Sequence, residues 1–116
     1  MNLIGKKNLV NLTGNDIQLR SQAEIKEMVL AKSKPGGQLD FFTDIKGREH
    51  DGVQVKPGVF ATLNSIALYK WGRANFDLGV NTVEDAYAIF SEFKAREIGE
   101  REKGYIKMGF EKDWDK

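Results

Sequence analysis

The chain has 116 residues, 41% hydrophobic and 30% charged, which suits one domain with a single core and a solvated shell. It has no cysteine and one histidine. That excludes disulfides, thiolate zinc sites, iron–sulfur clusters, thiol nucleophiles and any site needing two imidazoles. The net charge of +1, from 18 basic and 17 acidic residues, lacks the basic excess of a protein that tracks along nucleic acid. It leaves room for an enzyme that grips a few phosphates.

No apolar run approaches the ~20 residues that span a bilayer, so no membrane span is expected. The opening Met1-Asn2-Leu3-Ile4-Gly5-Lys6-Lys7 lacks the apolar stretch of a signal peptide. Residues 1–20 form a poorly defined N-terminal segment, and 21–116 read as a single helical domain. Within the first segment, Leu9, Val10 and Leu12, then Thr13-Gly14-Asn15-Asp16, then Ile17 and Leu19 suggest two short strands around a turn.

Ser21 with Glu24 three residues later is a capping box, and Ile25, Met28 and Val29 follow at helical spacing. A first helix is therefore expected over 21–33, stopped by Pro35-Gly36-Gly37. Leu39-Asp40-Phe41-Phe42 reads as a short extended piece. The polar stretch 43–58 follows, with Val53 and Val55 alternating as a short strand. Long loops of this kind often carry function.

Pro57 suits the first position of a second helix, expected over 58–78. Phe60, Leu63, Ala67, Trp71, Ala74 and Leu78 form one apolar stripe along it. Gly72 interrupts that stripe at a cost of ~1 kcal/mol against alanine, marking a kink or the approach of another backbone. A third helix is expected over 82–102, capped by Asn81 or Thr82, burying Val83, Ala86, Tyr87, Phe90 and Phe93. Its charged second half, 94–103, reads as a solvated extension. Ile106, Met108 and Phe110 alternate as a final strand or docked strip. The fold class is mainly α, a small domain of three main helices with minor short strands. Phe60, Leu63, Trp71, Phe90 and Phe93 are expected to share its core.

Three places can carry chemistry. His50 lies in Lys46-Gly47-Arg48-Glu49-His50-Asp51-Gly52. An imidazole exchanges protons near neutral pH, and Lys46 and Arg48 can hold a phosphate. The plain alternative is an exposed histidine in a polar loop. Asp40 can act as a general base, or it can cap the turn after Gly36-Gly37. Tyr69, Lys70, Trp71, Arg73 and Asn75 can stack on a base and touch phosphate, or serve the core stripe and its rim. The 17 carboxylates leave an oxygen-ligand magnesium or calcium site open, and Asp40 and Asp44 could share such a cation. Neither a metal nor a cofactor is assigned, and no phosphate-binding glycine loop is present.

Three segments resemble a bacterial polymorphic-toxin domain, often called toxin 44. Lys34-Pro35-Gly36-Gly37-Gln38-Leu39-Asp40-Phe41 resembles its Gly-Gly-x-apolar-Asp-aromatic element. Tyr69-Lys70-Trp71-Gly72-Arg73-Ala74-Asn75 resembles its Tyr/Asn/Gly-rich helix, and Gly79-Val80-Asn81-Thr82-Val83-Glu84-Asp85-Ala86 the Gly-turn-helix that follows. Together they cover under half of the chain. The lysine expected soon after the Asp-aromatic pair is here Phe42 or Thr43, with Lys46 the nearest.

The resemblance implies the C-terminal toxin domain of a polymorphic or contact-dependent system, acting as a ribonuclease or other hydrolase. Its partners would be a cognate immunity protein and RNA, and it would be delivered into the target-cell cytoplasm. Asp40 and His50 are then the catalytic candidates, with Lys46, Arg48, Tyr69, Arg73 and Asn75 binding substrate. The competing expectation is a non-catalytic protein-binding module of a phage or mobile element, cytoplasmic in location.

Overall fold

A computed structural model describes residues 20–112. It is mainly α, with four helices and a two-stranded antiparallel sheet: α1 (Gln22–Ser33), β1 (Gly52–Lys56), β2 (Val59–Thr62), α2 (Leu63–Asp77), α3 (Val83–Lys94) and α4 (Glu100–Glu111). The hairpin expected over 9–19 lies outside the described residues. No helix among them is long and apolar enough to cross a membrane.

The first helix begins as its capping box dictates. Ser21 Oγ accepts from Glu24 N at 3.1 Å, and Ser21 N donates to Glu24 Oε1 at 2.8 Å. Gln22 ties this end to the α2–α3 turn: its Nε2 donates to the Gly79 carbonyl and its Oε1 accepts from Asn81 N, each at 3.0 Å. At the other end, Trp71 Nε1 donates to Ser33 Oγ at 2.9 Å, and Ser33 donates onward to the Val29 carbonyl. All three side chains are fully buried, so this relay satisfies the indole N–H that the core would otherwise strand.

The second helix starts five residues later than expected. Pro57-Gly58 makes the turn between β1 and β2, with Gly58 at a left-handed φ of 77°. Proline followed by such a glycine is turn chemistry, and it overrides the fit of proline to a helix start. The strands pair Gly52 with Thr62, Val53 with Ala61 and Gln54 with Phe60. Thr62 then caps α2, its Oγ1 accepting from Ser65 N at 3.0 Å. Phe60 consequently sits on a strand, 70% exposed, and not in the core. Leu63, at the first position of α2, is only half-buried.

The third helix is shorter than expected. It stops at Lys94, where Ala95 turns left-handed at φ 56° and its N–H returns to the Glu92 carbonyl. A separate helix restarts at Glu100. Glu102 accepts from Gly99 N at 2.9 Å, which is the carboxylate half of a capping box. The tail expected to be a strand is the second half of α4. Ile106 and Gly109, three apart, both point inward, so the helical period governs and the alternation at 106, 108 and 110 does not.

The most intimate contact in the molecule joins α2 and α4. A β-carbon on Gly72 would overlap the Ile106 carbonyl, and one on Gly109 would overlap the Tyr69 carbonyl. The pairs 69/109 and 72/106 run in opposite directions, so the helices are antiparallel and touch backbone to backbone. Of the two roles open to Gly72, close approach is the one taken. Around this axis Ile25, Val29, Leu68, Trp71, Phe90 and Ile106 pack into one core. Trp71 meets Phe90 edge-on at 5.1 Å, and Phe93 flanks Phe90 at 6.2 Å.

Candidate functional site

The backbone on either side of His50 is fixed by hydrogen bonds, while the residue itself is exposed, as the plain alternative had it. The first N–H groups of a helix have no intrahelical acceptors. Here Leu63 N donates to the Asp51 carbonyl at 2.9 Å and Asn64 N to the Glu49 carbonyl at 3.0 Å. The loop 46–51 is thus pinned across the start of α2, and the β1–β2 hairpin makes this possible by returning Thr62 beside Gly52. His50 lies between the two pinned carbonyls.

It lines a cleft of about 230 Å³ where that loop, the start of α2, the end of α3 and the start of α4 meet. The floor is apolar, formed by Phe42, Leu68 and Phe90. The polar lining is Glu49 and His50 from the loop, Asn64 from α2, Lys94 from the end of α3, Arg96 from the turn after it and Glu102 from α4. Arg96 grips Glu102 through both guanidinium ends, at 2.9 and 2.7 Å. That fork, burial opposing it, and the Gly99 N–H hold the Glu102 carboxyl below the usual range, with the Lys94 charge adding. Glu49 is also lowered, by backbone hydrogen bonds from its own N–H and from Gly47, then by the charges of His50 and Lys46. Both rim carboxylates are therefore ionised at neutral pH.

Neither the other catalytic candidate, Asp40, nor the binding candidate Arg73 lines this cleft with His50. Asp40 staples its own loop. Its carboxylate accepts from Gly36 N at 2.8 Å, Phe42 N at 3.2 Å and Thr43 N at 3.0 Å. The piece expected to be extended is thus a compact turn leading into a single 3-10 turn, Thr43–Ile45. The Thr43 hydroxyl first, then the Gly36 N–H, with lesser help from the Thr43 and Phe42 amides, bring the Asp40 pKa from 3.8 to about 2.

A depressed carboxyl pKa stabilises the fold above its unfolded value and loses that contribution as pH falls through the folded one. The Asp40 contribution should therefore disappear between about pH 4 and pH 2. Asp40→Ala should cost about 0.5–2 kcal/mol at pH 7, as loss of a capping side chain does. Melting curves from pH 6 to pH 2 test this: the gap between wild type and variant should close toward pH 2. A gap that persists there would show that Asp40 does not act as a carboxylate staple.

Of the other expected binding residues, Lys46 and Arg48 are exposed on the loop, and Arg48 pairs with Asp51 at 3.2 Å. Tyr69 and Asn75 are buried, with Asn75 Nδ2 donating to the Trp71 carbonyl, and Arg73 is half-buried on α2. Lys94, Arg96 and Glu102 were not expected at a site because 94–103 looked like one solvated helix, and Asn64 because it lies off the apolar stripe of the second helix. The visible clue was Gly99 with Glu102 three residues on, a helix start inside that span. Among the described residues no group of three or more His, Asp or Glu side chains is arranged to hold a metal ion. No protein-family model, curated protein or solved structure matches the chain.

Proposed function

We propose that this chain is a helical toxin domain of the polymorphic or contact-dependent type that cleaves RNA at the His50 cleft. The observation that supports the reading is the cleft lining, which includes the chain's one imidazole, the Glu49 carboxylate, Lys94 and the Arg96–Glu102 pair. In such a cleavage the 2′-oxygen bonds to phosphorus while the bond from phosphorus to the 5′-oxygen breaks. One group must take the 2′ proton and another must protonate the departing oxygen. Glu49 is the acceptor and His50 the donor, with Lys94 facing the charge that builds on the phosphoryl oxygens. Asp40 supports the loop and is not assigned a proton-transfer role. The partners of this reading are RNA and a cognate immunity protein.

Expression in bacteria with and without induction, together with cleavage of a labelled RNA, tests the proposal. His50→Ala and Glu49→Gln should each lower the cleavage rate by about 100-fold or more, the usual weight of one acid or base. Both should relieve toxicity while circular dichroism stays unchanged. If the wild-type protein is well tolerated and leaves RNA intact, the reading fails.

A second reading, a non-catalytic protein-binding module, is favoured by the hairpin. Val55, Val59 and Phe60 are 37%, 39% and 70% exposed on a sheet of two strands. Phe60 is the large exposed apolar side chain here, with Val59 on the opposite face, and an exposed aromatic of this size can anchor a contact. Under this reading His50→Ala changes nothing, and Phe60→Ser abolishes partner binding.

A further inference from the structure

Lys94 is held in an unusual way for a surface lysine. Its ammonium lies 4.7 Å from the Phe42 ring centre, 5.2 Å from Phe93 and 5.7 Å from Phe90. The rings form a continuous set: Phe42 and Phe90 are 6.1 Å apart, and Phe90 and Phe93 6.2 Å. Each presents the negative side of its quadrupole to a cation within about 6 Å. Among the described residues no carboxylate lies within ion-pair distance of the Lys94 ammonium. Arg96, its neighbour on the rim, is taken up by Glu102. The rings therefore fix the ammonium without an ion pair, with Glu102 near enough to feel its charge, and a hydrated, flexible lysine becomes a preorganised charge.

Two of the three rings and the lysine itself also line the His50 cleft. We propose that Lys94, presented by the box of Phe42, Phe90 and Phe93, is the phosphate-binding residue of this cleft, and that the rings are positioning residues. The proposal rests on the reading of the cleft as a phosphate site and names the group that makes it one. The cleft's size is consistent with this, because about 230 Å³ is below the usual 300–1,000 Å³ of a pocket that engulfs a small molecule. It suits one phosphate and its nearest substituent, with the rest of a polymer outside.

The probe is inorganic phosphate, titrated into isotope-labelled protein and followed by NMR at His50 and Asn64. Lys94→Gln should weaken binding by about tenfold or more, the worth of a charge-assisted contact. Phe42→Leu removes the nearest ring face and should weaken binding about threefold, within the range of a cation–π contact. Phe42→Tyr keeps the face and should restore it, which a merely structural role for Phe42 would not require. Lys94→Arg provides a charged control should the glutamine variant unfold, and should bind phosphate where Lys94→Gln does not. Phosphate binding that is absent in the wild type, or equal in Lys94→Gln, overturns the proposal. Lys94-dependent binding without RNA cleavage leaves it standing and sinks only the catalytic reading. RNA cleavage with unchanged KM in Lys94→Gln does the reverse.

Discussion

Gly72→Ala is expected to destabilise the protein by about 3 kcal/mol, the upper part of the range for overpacking a filled interior. Helix propensity alone predicts the opposite sign, since alanine outranks glycine by ~1 kcal/mol in a helix interior. Geometry decides between them. The added methyl would occupy the place of the Ile106 carbonyl, which is backbone and cannot rotate away. The helices α2 and α4 must separate, and each ångström of separation forfeits contacts along the whole seam. Gly104→Ala supplies the control. It lies within α4 with nothing near its missing β-carbon, so it should gain about 0.4–1 kcal/mol. Urea unfolding of both variants decides the matter. Stabilisation by both would mean that the two backbones do not touch.

Phe90→Ala should cost about 3–5 kcal/mol, the usual loss for truncating a buried phenylalanine. The ring is 1% exposed and is the hub of the aromatic cluster, with Trp71 edge-on and Phe42 and Phe93 on its flanks. Its removal leaves a hole at the His50 cleft among Phe42, Trp71 and Phe93. Phe60→Ser is the informative contrast. The sequence places both phenylalanines on apolar stripes, yet Phe60 is exposed on the hairpin, and its loss should stay within about 0.5 kcal/mol. A loss below about 1 kcal/mol for Phe90→Ala would show that α3 does not bury that face.

Much of the fold was legible because its signals are local. The Ser21–Glu24 capping box and the stop at Pro35 stand as expected, and of the two caps open to α3, Asn81 or Thr82, the structure takes Thr82. The apolar stripe of α2 from Ala67 to Trp71 and the buried face of α3 at Ala86 and Phe90 follow from helical period alone. The strand at Val53 and Val55 showed as an alternation. Its partner did not, because Val59-Phe60-Ala61-Thr62 merges with a helical stripe, and only pairing across the Pro57-Gly58 turn reveals it.

What only the tertiary structure decided involves residues far apart in the chain. Sequence showed Gly72 as a gap in a stripe; the Ile106 carbonyl, brought up by α4, explains it. The Trp71–Ser33 and Gln22–Gly79 bonds span 38 and 57 positions, and no local pattern encodes them. The candidate site has the same character. His50 stood out as the only imidazole, but its cleft is completed by Lys94, Arg96 and Glu102 from a segment that reads as solvated charge. The composition of one polar segment leaves open which distant segment it faces. The break at Ala95 and the docking of α4 on α2 settle that, by folding the charged stretch back over the loop.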